Sequence, residues 1–388
     1  MEIFNRLFQG STQIWVITML LAVFSFLPVF SASSSIGMHM IHVGFGLLLA
    51  ILTHRIPYRF WRGPLSPLLL WISIILLAFT IAQGATISGA NSSRWIYIFG
   101  MSFQTSALAN VSLLLFISRT ISKKEGVWKF KESFQTLLWP IFLICALVLP
   151  ANLSTSILIF INSIILLFVG GYNSKHIAKL FGLGTAFLIV FIFTAKAFPD
   201  MIPNRVDTWI SRIETFAIEG ENAENYQKKI AMTAIAEGKI TGLGPGRGLH
   251  KHFLPQNNSD FIYATIVEEY GLIGGTVIVL MYLWFMLACV RVTNRAKDLF
   301  GRLIVIGLSF SICLQALINM AVATSLFPIT GQTLPLVSAG GSSIWMTCFA
   351  IGIILSVSRG RGDGEIMDHD IKTFQDLEIK SLNIQGDE

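Results

Sequence analysis

The sequence predicts an all-α, polytopic integral membrane protein with about ten transmembrane helices and one large extracytoplasmic loop between helices 7 and 8. Three observations predict it. The 388-residue chain is 53% hydrophobic and 13% charged, with a mean hydropathy of +0.67, whereas soluble domains carry roughly 25% charged residues. Its apolar residues arrive in long runs almost free of charge. Its Lys and Arg gather on alternate connections between those runs, as cytoplasmic loops do.

The runs follow in order as Gln13–Phe30, Gly37–Leu52, Leu65–Ala82, Val111–Ser118, Leu137–Leu149, Ser156–Val169 and Phe181–Thr194, then Gly271–Val290, Leu303–Thr324 and Gly341–Val357. A helix needs about 20 apolar residues to cross a hydrocarbon layer of roughly 30 Å. Most runs reach that length directly or with their flanks, as Val111–Ser118 does with Ser102–Ala109. Leu137–Leu149 and Ser156–Val169 are the shortest fits. Arg6 ahead of the first run, which ends in Phe30-Ser31-Ala32-Ser33, has the outline of a secretory signal; an uncleaved anchor is expected. Cys145, Cys289, Cys313 and Cys348 fall inside runs without metal-ligand spacing and read as small packing residues.

With the N-terminus inside, the short cytoplasmic connections hold Arg55, Arg59 and Arg62, then Arg119 to Lys131, then Lys175 and Lys179, then Arg291 to Arg302. The short outer loops hold only Arg94. The remaining basic residues between the first run and the last lie in the long segment 196–260, and long segments translocate whatever their charge. Both termini are therefore expected in the cytoplasm. The net charge of +6 is a topology signal and calls for no nucleic acid. One membrane domain, 1–358, is expected, followed by a disordered cytoplasmic tail, 359–388, which is acidic and poor in large apolar residues.

The outer loop carries the chemistry. Trp209, Ile213 and Phe216 fit a short amphipathic helix on the membrane surface. A second helical stretch covers about 227–236. Next comes Gly242-Leu243-Gly244-Pro245-Gly246-Arg247-Gly248, a backbone that must turn tightly and approach something closely. It is no dinucleotide fingerprint, because no strand precedes it and no clear helix follows. Polar residues then stop at Asp260, Phe261-Ile262-Tyr263-Ala264 opens an apolar helix, and Glu268 and Glu269 follow two turns later. A carboxylate held at that boundary is partly desolvated, which suits general-base work; it could equally cap the helix, and the sequence leaves both roles open.

These residues resemble the SEDS family, whose members include FtsW, RodA and SpoVE. The loop pattern is matched by Tyr226-Gln227, Gly242-Leu243-Gly244-Pro245-Gly246, Lys251, Leu254-Pro255, Ser259-Asp260-Phe261-Ile262-Tyr263-Ala264 and Glu268-Glu269-Tyr270-Gly271. A second signature runs from Pro328 to Ser343 and ends Ser338-Ala339-Gly340-Gly341-Ser342-Ser343, with Gln315 and Asn319 upstream. Arg94-Trp95 and Ser102-Phe103-Gln104 match a third block. There are departures. The family's Glu and Lys after Gln104 are Ala107 and Asn110 here, its Pro-Asp-x-Gly-Thr becomes Asn152-Leu153-Ser154-Thr155, and a Glu and a His before the Asp become Gln256 and Asn258. Asp260 survives them all.

The resemblance implies a peptidoglycan glycosyltransferase that polymerises lipid II. It implies Asp260 as the base. Outer cations for the leaving pyrophosphate are Arg94, Lys239 and Lys251, and Gly242, Gly244, Ser342 and Ser343 are candidate substrate contacts; the small residues at 338–343 serve helix packing equally well. A groove open to lipid must admit the polyprenyl tail. No residues are assigned to a metal, and a divalent cation as cofactor is left open. The implied partners are a class B penicillin-binding protein, which is a transpeptidase, and other membrane proteins of the divisome. A lipid II flippase and a scaffold recruiting the transpeptidase are the rival readings; a flippase would show charges deep in several spans, and few are present. Thr333-Leu334-Pro335-Leu336 resembles the FtsW branch, which serves division, more than the RodA branch, which serves elongation.

Overall fold

The computed structural model describes residues 8–32, 36–83, 95–98, 101–124, 129–197, 223–250, 253–254 and 257–360. Its described part is a helical bundle: α1 (Thr12–Ala32), α2 (Ile36–Arg55), α3 (Ser66–Gln83), α4 (Thr105–Lys123), α5 (Trp139–Val148), α6 (Leu153–Val169), α7 (Ser174–Ala197), α8 (Ala223–Gly238), α9 (Ile262–Arg295), α10 (Leu299–Ala323) and α11 (Gly341–Gly360). Among the described residues nine helices are long and apolar enough to cross a membrane, and α6, with 17 residues, sits at the lower limit of spanning length. Together they are the expected ten. The span ending in α5 starts earlier than the apolar run indicates, at Lys131, because a π-helical turn at Phe134–Leu138 joins α5 to a short helix at Phe130–Ser133.

Large apolar side chains point outward along the bundle, among them Val23, Ile75, Phe168, Val190 and Phe193, as a lipid-facing surface requires. Position in the bundle varies widely: 78% of the α11 span is buried but only 6% of the α7 span, so α11 is central and α7 peripheral. α11 packs against α2 through small residues. A Cβ at Gly46 would stand 3.0 Å from Cys348 Sγ, and one at Gly352 would stand 2.9 Å from the Ala50 carbonyl.

Polar side chains tie the apolar helices together. Ser25 Oγ and His39 Nε2 join α1 to α2 at 2.8 Å, and Ser73 and Ser112 join α3 to α4 at 2.7 Å. Ser311 on α10 accepts from Asn110 of α4 at 2.7 Å and from Asn162 of α6 at 2.9 Å. In a bilayer each such bond contributes on average about 0.6 kcal/mol. Asn110, where the family carries a lysine, is thus part of a neutral hub.

The two ends of the bundle differ. At one end Arg62 faces Asp298 at 3.7 Å, the Arg119 guanidinium donates to the Arg62 carbonyl, Lys124 pairs with Glu132, and Arg359 donates to the Arg55 carbonyl. The other end carries Asp260, Glu268 and Glu269, all buried. Here too is an unexpected element, an antiparallel hairpin of β1 (Trp95–Ile98) and β2 (Met101–Gln104) with Trp95 opposite Gln104. The helical stretch expected near 227–236 is α8. The amphipathic stretch Trp209–Phe216 and the tail beyond residue 360 lie outside the described residues.

Candidate active site

Asp260 ends the turn 257–260, one residue before Phe261, which is the N-cap of α9 and makes no side-chain capping bond. Its backbone is held from the second signature. The Ala339 amide donates to the Asn258 carbonyl at 2.8 Å, the Ser338 hydroxyl to the Ser259 carbonyl at 2.7 Å, and the Asn319 side-chain amide to the Asp260 carbonyl at 2.9 Å. Three successive carbonyls are thus fixed by α10 and the 332–340 loop. The Asp260 residue is 8% exposed, so its carboxylate sits where few waters reach it.

That second loop is itself well anchored. Asn319 also donates to the Gln332 carbonyl at 2.7 Å, and Gln332 Nε2 donates to Thr155 Oγ1 on α6 at 2.7 Å. Ser343 Oγ meets Thr333 Oγ1 at 2.9 Å, and Ser342 Oγ accepts the Gln104 amide at the end of the hairpin at 2.9 Å. Ser342 and Ser343 are both buried, and each has a protein partner. Gly341 lets α11 approach α2, since a Cβ there would lie 2.8 Å from the His42 ring. The two signatures and the hairpin, remote in sequence, form one end of the molecule.

The glycine run has a close neighbour, and it is a helix. α9 breaks at Gly271, with φ 70° and ψ −172°, which leaves backbone groups on either side without their intrahelical partners. The loop supplies replacements. Leu243 and Gly244 donate their amides to the carbonyls of Glu268 and Glu269, both at 3.0 Å. In return Leu272 and Ile273 donate to the carbonyls of Lys239 and Ile240, at 2.8 and 3.2 Å. The approach is so close that a Cβ on Gly242 would lie 2.2 Å from the Glu269 carbonyl oxygen, and one on Gly271 would lie 2.2 Å from that of Ile240. The Gly244 amide is therefore engaged by protein and does not face an open cradle. Lys239 is exposed, with φ 47°, beside this junction. Arg94 and Lys251 lie outside the described residues.

Sequence reading missed one cluster. Glu237 at the end of α8, His250 after the glycine run and Glu268 on α9 each bring a ligand-type atom within 4.8 Å of the others. No two of them share a helix or a short motif, and only the loop's return onto α9 unites them.

An apolar groove of about 640 Å³ opens beside this end of the bundle. α6 lines it with Asn152 and Ile157, α9 with Tyr263, α10 with Leu317, and the following loop with Phe327 and Ile329. Tyr263 places its wall one turn beyond Asp260.

Residues 11–362 match the FtsW/RodA/SpoVE family, described as "Cell cycle protein". The chain is 33% identical over 357 residues to a probable peptidoglycan glycosyltransferase FtsW of Geobacter metallireducens, covering 87% of this chain and 92% of the relative. It is 28% identical over 359 residues to stage V sporulation protein E of Bacillus subtilis, covering 89% and 95%. A chain from a solved peptidoglycan synthase complex, described for its structural coordination of polymerization and crosslinking, superposes with a TM-score of 0.72 at 22% identity, covering 91% of this chain and 98% of that one. The rod shape determining protein RodA of Thermus thermophilus superposes with a TM-score of 0.67 at 22% identity, covering 91% and 97%. At these identities the solved structures show the shared fold.

Proposed function

Since the chain belongs to the FtsW/RodA/SpoVE family of cell cycle proteins, we propose that it is a peptidoglycan glycosyltransferase that polymerises lipid II into glycan strands at the division septum. The observation that supports this most is the buried Asp260, at the end of a turn whose Asn258, Ser259 and Asp260 carbonyls each accept a hydrogen bond from α10 or the second signature. Such preorganisation is what a base must have to act without reorganising.

In the reaction a hydroxyl oxygen of the acceptor sugar bonds to the anomeric carbon of the donor. The bond from that carbon to the pyrophosphate oxygen breaks, and the undecaprenyl pyrophosphate leaves with the electron pair. The Asp260 carboxylate takes the proton of the attacking hydroxyl. Arg94, Lys239 and Lys251 are the cations proposed to meet the leaving pyrophosphate. The apolar groove beside Tyr263 has the shape and lining for a polyprenyl chain. Ser342 and Ser343 are proposed to act by holding the hairpin and Thr333 beside the site, and Gly242 and Gly244 by holding the loop on α9.

The bacterial inner membrane, with both termini cytoplasmic, is the proposed setting. The end rich in Arg and Lys lies opposite Asp260 along α9, as the positive-inside rule asks. Strand synthesis alone leaves cross-linking undone, so a class B penicillin-binding protein is the proposed partner. The division role follows the FtsW-like Thr333-Leu334-Pro335-Leu336 and the similarity to FtsW relatives. The deciding experiment is lipid II polymerisation by the purified chain with its cognate transpeptidase, wild type against Asp260→Asn. The variant is expected to fold, keep its melting temperature and make no strands; strands at the wild-type rate would remove Asp260 from the chemistry.

A further inference from the structure

Glu268 poses an electrostatic problem that protein groups only half solve. It is 0% exposed, and an ionised carboxylate in such a place is costly unless it is compensated. Its hydrogen bonds converge on one oxygen: Oε1 accepts from the Leu249 and His250 amides at 2.8 and 2.9 Å and lies 3.0 Å from His250 Nδ1. Oε2 is buried with no hydrogen-bond partner. It faces Gly248, where a Cβ would stand only 2.7 Å away. A second carboxylate comes from Glu237, whose Oε2 lies 3.6 Å from His250 Nδ1 and whose side chain is 46% exposed.

We infer that Glu237, His250 and Glu268 bind one divalent transition-metal ion of the zinc class. The separations support it. Ligands at about 2.0–2.1 Å from a tetrahedral zinc stand roughly 3.3 Å from one another. The separations from His250 Nδ1, 3.0 Å to Glu268 Oε1 and 3.6 Å to Glu237 Oε2, bracket that edge, and all three ligand atoms lie within 4.8 Å of one another. One imidazole and two carboxylates select a borderline cation over magnesium or calcium, which prefer all-oxygen sets. The ion would neutralise Glu268 and leave its fourth position to water on the side where Glu237 meets solvent. It would also staple three segments, the end of α8, the loop behind the glycine run and the helix that follows Asp260. Its role is to hold the loop, and no step of glycosyl transfer passes through it.

The inference stands apart from the polymerase reading, so its test measures no strand synthesis. The full chain, purified in detergent and stripped with chelator, is titrated with Zn²⁺ and separately with Co²⁺ against excess Mg²⁺. Bound metal is measured after desalting, and Co²⁺ geometry is read from its visible absorption. The wild type should retain one ion per chain, with the intense bands of tetrahedral Co²⁺. His250→Ala and Glu237→Gln should each weaken binding by more than the roughly 10–100-fold that loss of a second-shell contact costs. His176→Ala, on α7, should bind as the wild type does. Glu237 is at the surface, so its variant tests the site even if the His250 variant misfolds. Failure of the wild type to retain an ion would overturn the inference, as would wild-type affinity in both ligand variants.

Discussion

Replacing Gly242 by alanine puts a methyl group where the structure has a carbonyl. The new Cβ would fall 2.2 Å from the Glu269 carbonyl oxygen and 2.5 Å from the Gly271 nitrogen, so the loop must withdraw by about 1 Å to restore ordinary contact. Four hydrogen bonds depend on that distance: Leu243 to Glu268, Gly244 to Glu269, Leu272 to Lys239 and Ile273 to Ile240. Each contributes on the order of 1 kcal/mol net, and alanine at φ +81° adds about 1–2 kcal/mol of strain. The sum, about 5 kcal/mol, is set against the loop's attachment to α9. The loop should therefore lift while the membrane helices stay folded. Hydrogen exchange in nanodiscs reads this directly. The amides of Leu243, Gly244, Leu272 and Ile273 should lose protection by a factor of about a thousand or more, and those of α10 and α11 should not change. Polymerisation should fall on the order of a hundredfold if the loop positions groups for the reaction. Unchanged protection at the four amides would refute the reasoning, because the steric conflict would then have been absorbed without breaking the junction.

Other expected outcomes test separate joints. Asn319→Ala removes the donor to the Asp260 and Gln332 carbonyls; it should cost about 2–4 kcal/mol in stability and abolish polymerisation, measured by thermal unfolding and a lipid II assay. Ser311→Ala leaves the Asn110 and Asn162 amides without their shared acceptor and should cost about 1–2 kcal/mol while leaving most activity intact, read by the same melt and assay. Cysteines placed near Lys124 and Arg295 should resist an impermeant thiol reagent in whole cells, and one near Asn222 should label; the four native cysteines are buried and give little background.

The spanning helices were legible in the sequence because a bilayer permits little else. Unsatisfied backbone is so costly in hydrocarbon that a long apolar run must be a helix. The place of Asp260 just ahead of α9 was legible for a related reason, since polar chain gives way to apolar helix there. The hairpin at Trp95–Gln104 was not, because four-residue strands carry too little alternation to stand out from a loop. The glycine run was half legible. Its residues announced a close approach, but its neighbour, the broken α9 at Gly271, is a backbone event, and backbone partners leave no mark on side-chain pattern. The same limit hid Glu237, His250 and Glu268, whose union depends on that junction. The consequence for function lies in the joint itself. Three carbonyls around Asp260 are held by α10 and the second signature, while four hydrogen bonds bind the loop to the helix that Asp260 precedes. A pull on the loop would therefore be felt at Glu268 and Glu269 of α9, two turns from the proposed base.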